Sequence, residues 1–144
     1  MKRLALLLCG LALLCPALPA RDAATTVQAI LISASNRPGG VDPRLSAYAG
    51  ELRRNLPFTS FRHAGEGTAR LSPGSTSLTL ANGHRLELEG GRAGRGGIQV
   101  KVQWLQGNRV VMTTTLNLQP GIPAVLGRRG GDEGETPVVL IIAN

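Results

Sequence analysis

The chain has 144 residues, 16 basic and 9 acidic side chains for a formal net charge of +7, and four aromatic residues among 42% hydrophobic ones. This apolar content is that of a folding chain, which argues against a disordered one. Its longest apolar run, Leu4 to Leu14, is too short to span a bilayer, which takes about 20 such residues.

The first residues divide into the zones of a secretory signal. Lys2 and Arg3 supply the positive start, Leu4 to Leu14 the apolar centre, and Pro16 and Pro19 end any helix before Ala20. Residues 1–20 are therefore expected to be a signal peptide, cleaved near Ala20, and residues 21–144 a single β-rich domain placed in the periplasm or outside the cell. Leu8 precedes Cys9 and Leu14 precedes Cys15, where a lipid-attachment signal would need a small residue. Removal of the segment takes both cysteines with it, leaving no disulfide and no thiolate for metal binding or nucleophilic attack. It also leaves 14 basic residues against 9 acidic ones, thirteen of the 14 being arginine and only Lys101 lysine.

After a polar leader at 21–26, Val27 to Ala34 is apolar on both alternating faces, as in a strand at the middle of a layered structure. Asn36 to Gly40 supplies turn chemistry. A helix is predicted over about 43–56. Asp42 suits the N-cap, Pro43 the first position, and Leu45, Tyr48, Leu52 and Leu56 form one stripe before Pro57 ends it. Arg53 and Arg54 fall in the last turn, where cations suit the helix dipole.

From Phe58 onward the pattern is strand and turn. Phe58 to His63 reads as a strand. Thr76 to Glu89 reads as a hairpin, and the loop Ala81-Asn82-Gly83 pairs Leu78 with Leu86 and Leu80 with His84. Ile98 to Leu116 reads as a second one. There a loop at Gln106-Gly107-Asn108 with left-handed Asn108 pairs Trp104 with Val110, Val102 with Met112 and Val100 with Thr114. Gly90 to Gly97 and Gly127 to Glu135 have loop composition. Val138 to Ala143 is apolar on both faces and belongs inside a sheet. The expected fold is mainly β, an antiparallel sandwich-like domain of about 7–9 strands with one helix, its doubly apolar strands central and adjacent.

Candidate chemistry is sparse. His63 and Glu66 form the best acid–base pair, and His84 follows a turn where an exposed polar residue is ordinary. No serine sits in a nucleophile motif, and the histidines lack the spacing of a metal site. The glycine pattern at 91–96 is no phosphate loop, so no cofactor and no metal is expected. Arg92 and Arg95, with Arg128 and Arg129, are the candidate binding residues. Without aromatics interleaved for base stacking they do not suit nucleic acid. They suit an anionic envelope polymer, a lipid headgroup or an acidic envelope protein.

The segments Val41-Asp-Pro-Arg-Leu45 and Phe58-Thr-Ser-Phe61, the Asn82-Gly-His-Arg-Leu-Glu-Leu88 hairpin and the closing Val138 to Ala143 run resemble small exported bacterial β-rich proteins. That resemblance spans most of 27–143 and implies a fold, with no activity attached to any residue. The expected function is that of an exported, non-enzymatic binding or scaffolding module of the envelope. Competing expectations are an envelope hydrolase using His63 and Glu66, and a structural protein that assembles with its own copies.

Overall fold

The computed structural model describes residues 25–71, 74–94, 97–127 and 134–144, with the backbone alone at 91–94. Two antiparallel four-stranded sheets make a sandwich. One has the order β2 (Ser60–Arg70), β1 (Thr26–Ser35), β8 (Glu135–Ala143), β7 (Ala124–Gly127). The other has the order β3 (Ser75–Thr79), β4 (His84–Gly94), β5 (Gly97–Gln106), β6 (Arg109–Leu118).

The two doubly apolar strands, β1 and β8, are paired at the centre of their sheet, as their composition requires. Their alternate residues serve two separate cores. Val27, Ala29 and Leu31 join Val139, Ile141 and Ala143 in facing the second sheet, where Leu86, Leu88, Val102 and Trp104 meet them. Ile30, Ile32, Ala34, Val138, Leu140 and Ile142 face the other way, onto Leu45 and Leu52. The molecule is therefore three layers deep, helix on sheet on sheet. Two-sided apolarity in β1 and β8 is what that middle layer demands.

The helical segment is split. Pro43–Tyr48 is a 3₁₀ turn and α1 (Ala49–Asn55) continues from it. Asp42 caps the start, its Oδ1 accepting from Arg44 N at 3.0 Å, while Oδ2 accepts from His63 N at 3.2 Å on β2. These two backbone hydrogen bonds hold the Asp42 carboxyl below its ordinary range. One carboxylate thus caps the helix and fastens it to the sheet. Gly50 lies exposed in α1, and a Cβ there would meet nothing within 4 Å. Gly50→Ala should therefore raise stability by about 0.5–1 kcal/mol in denaturant unfolding, since it removes only the backbone entropy of glycine.

The first hairpin has the expected register, Leu78 opposite Leu86, with Leu80 N donating to His84 O at 2.8 Å. Gly83 takes the left-handed conformation with φ +76°, and Asn82 does so with it. The second hairpin differs from expectation. Its turn is the two-residue Gly107-Asn108, because Gln106 pairs with Arg109, and the left-handed residue is Gly107 (φ +62°) instead of Asn108. Glycine reaches that conformation at lower cost. A bulge at Val111 then shifts the pairing, so Trp104 faces Met112, Val102 faces Thr114 and Val100 faces Leu116. β2 is also longer than predicted: it runs on past His63 through Gly65-Glu66-Gly67 to Arg70. Likewise β4 extends to Gly94, so part of the glycine-rich stretch is strand.

Candidate functional site

At the end of the sandwich where β1 finishes and β8 begins, the first sheet continues past the second. Its inward face, apolar up to Leu31 and Val139, becomes Ser33, Ser35, Ser60, Arg62, Pro137 and Glu135. The hairpin residues Asn82, His84 and Gln106 approach this ledge and with it enclose a cleft of about 260 Å³. A second cleft of about 390 Å³ lies beside it, between Ser35, Ser60, Arg62 and the 37–43 loop that leads to the helix. Glu135 lines both.

Among the described residues, the charges lining these clefts are Arg37, Asp42, Arg62 and Glu135. Arg62 Nη1 stands 3.9 Å from Glu135 Oε1, with both side chains exposed. Such a pair contributes only about 0–1 kcal/mol and opens readily to a competing anion. Ser35 and Ser60 pair across β1 and β2 and are buried. Asp42 N donates to Phe61 O at 2.8 Å, and Phe61 N to Gly40 O at 2.9 Å. The loop over the larger cleft is thus anchored to β2 by backbone hydrogen bonds.

His84 is buried, only 6% exposed, where the sequence suggested an exposed turn residue. Trp104 accounts for the difference. Its Nε1 donates to His84 Nδ1 at 3.0 Å, and the two rings lie 5.7 Å apart. The bond requires an unprotonated Nδ1, and burial lowers the His84 pKa from its usual 6.5. Because the folded value is the lower one, the imidazole costs nothing in stability above about pH 7.5. Below pH 6.5 the unfolded chain binds the proton first, so stability falls as the pH drops toward the lower folded value. Urea unfolding followed through Trp104 should give a lower midpoint at pH 5.5 than at pH 7.5. His84→Asn should flatten that difference, and equal midpoints for the parent would refute the assignment.

His63 and Glu66 do come together. Residues three apart in a regular strand point to opposite faces, but β2 is bulged: Gly65 pairs with Leu31 and His63 with Ile32, leaving Ala64 over. The bulge returns both side chains to the outer face, with His63 Nε2 at 3.6 Å from Glu66 Oε2. Gln28 Nε2 donates to the same oxygen at 3.4 Å. The His63 side chain is only 12% exposed, against 57% for Glu66. The pair sits on the outer surface of the sheet, apart from the two clefts just described.

Of the four candidate binding arginines, Arg95, Arg128 and Arg129 lie outside the described residues, as does the side chain of Arg92. The described residues flanking them lie at opposite ends of the sandwich. Gly94 and Gly97 pair at the end far from His84, whereas Gly127 and Gly134 flank the connection into Glu135 at the cleft end. Sequence reasoning missed Arg37, Arg62 and Glu135. Their common location depends on strand register, although an arginine inside the turn sequence Asn36 to Gly40 was a usable sign.

Among the described residues no group of three or more histidine, cysteine or acidic side chains could hold a metal ion. No described helix is long and apolar enough to cross a membrane. Compared with protein-family models, with curated proteins and with solved structures, the chain matches none.

Proposed function

We propose that this is an exported, non-enzymatic binding module whose partner is an anionic envelope polymer, held at the cleft end of the sandwich. The observation that supports the reading most is the gathering of Arg37 and Arg62, with Asp42 and Glu135, around a cleft of about 390 Å³. The loosely paired Glu135 stands within it. Guanidinium groups take the planar carboxylate or the phosphate of such a polymer in bidentate fashion. The buried serines and the backbone of the 37–43 loop add fixed polar groups.

The test is binding of the purified protein to a phosphodiester wall polymer and to a polyuronate at two ionic strengths. Arg37→Glu with Arg62→Glu, and separately Arg128→Glu with Arg129→Glu, should each weaken capture roughly tenfold at low salt. Arg92→Glu with Arg95→Glu should leave it within about twofold. Equal losses from all three pairs would indicate only diffuse attraction between a basic protein and a polyanion, and would refute a site.

The bulge that brings His63 to Glu66 favours one other reading, an envelope hydrolase. It predicts cleavage of wall sugar or peptide that His63→Asn or Glu66→Gln abolishes. The binding reading predicts that both variants capture polymer as the parent does.

A further inference from the structure

Four strands form the edges of the two sheets, and three of them are guarded against pairing with another chain. β7 spans only four residues and β3 only five. β2 contains Arg62, Glu66 and Arg70, is bulged at Ala64 and is bridged by Val41 at Phe61. Shortness, charge, bulging and covering are the devices that stop edge-to-edge association.

β6 has few of them. It is ten residues long and pairs with β5 alone among the described strands. Arg109 is its only charge, and Val110 to Leu118 reads VVMTTTLNL, without proline or glycine. The bulge at Val111 lies near one end and leaves Met112 to Leu118 regular. The two exposed large hydrophobic side chains among the described residues, Val110 at 48% and Ile122 at 54%, bracket this strand. An uncharged strand of high β-propensity with an open edge is a template for another strand.

We infer that β6 pairs with the β6 of a second copy, antiparallel about a two-fold axis at Thr115, to join two four-stranded sheets into one of eight. The strand is complementary to itself. In that register Met112 faces Leu118 of the partner subunit, and Thr113 faces Asn117 of the partner subunit. Small hydroxyl and amide groups that can bond to each other are thereby matched, and no charge opposes a like charge. Val110 of each copy is brought beside the 119–122 segment of the other, covering the exposed side chains at both ends of the strand. Isologous pairing of this kind closes at two copies and leaves no free β6 edge.

Sedimentation of the purified protein over a wide concentration range tests this. Thr113→Lys with Asn117→Lys sets lysine against lysine across the two-fold, twice. Within the same chain these positions lie directly opposite Gln103 and Gln99, with Lys101 diagonal to both. Thr113→Glu with Asn117→Glu does the same with the opposite sign. The parent should dimerise, and each variant alone should dimerise roughly tenfold or more weakly while keeping the parent's melting temperature at dilutions where both are monomeric. An equimolar mixture of the two should recover the dimer. A parent that stays monomeric to its solubility limit overturns the inference. So does a dimer indifferent to both substitutions, or one the mixture fails to restore. None of these residues lines the clefts at the sandwich end, so polymer binding and dimerisation can fail independently.

Discussion

Replacement of Trp104 by alanine is expected to lower the free energy of unfolding by about 3–5 kcal/mol, the range for deleting a large buried aromatic. Trp104 is fully buried between the sheets and is the largest side chain of the core. Its loss also strands His84, whose Nδ1 then faces an apolar interior without its donor. Trp104→Phe separates the two effects. It keeps most of the apolar area, leaves a smaller void and removes the hydrogen bond, so about 1–3 kcal/mol should be lost. Chemical denaturation followed by circular dichroism measures both. A phenylalanine variant as stable as the parent would mean that the His84 bond contributes nothing.

The second large effect is expected at Gly65, where the two sheets meet along β2 and β3. A Cβ placed on Gly65 would lie 2.6 Å from Ala81 Cβ and 3.0 Å from Ala81 N. Neither atom belongs to a flexible side-chain end, so the hairpin itself must move. Gly65→Ala should cost about 1–3 kcal/mol, as overpacking of a well-fitted core does. The neighbouring Gly67 is under a similar restriction from Leu78 and Thr79. Ala81→Gly removes the worst contact. The double variant Gly65→Ala with Ala81→Gly should therefore be more stable than the sum of the single effects predicts. Additive costs would show that the edges do not meet at these residues.

Much of this architecture was legible because the informative residues act locally or in period. Alternating apolar positions identified the β1 and β8 strands and their place at the sheet centre. Asp42-Pro43 marked the helix start. Asn82-Gly83 fixed the first hairpin. The failures have physical causes of the same kind. Gln106-Gly107-Asn108 admits two registers, and the bulge at Val111 that reconciles the tighter turn with a Trp104–Met112 pair leaves no local sign in the sequence. His84 was placed outside because its neighbour in sequence is a turn. Its burial depends on Trp104, twenty positions away. His63 and Glu66 share one face of β2 only because the extra residue at Ala64 shifts the alternation, and a bulge of that kind has no mark in the sequence. Arg37, Arg62 and Glu135 are far apart along the chain and meet only through the pairing of β1 with β2 and β8. A site assembled from three strand ends is the kind least visible to sequence spacing.

The claim that one end of the sandwich is the binding end is tested most directly by hydrogen exchange with and without a saturating anionic wall polymer. The account predicts slowed exchange confined to the backbone around Ser33 to Arg37, Ser60 to Arg62 and Glu135, with the exposed β6 edge unchanged by polymer. Protection centred instead on the far end of β4 and β5, or no protection at polymer concentrations that saturate capture, would contradict it.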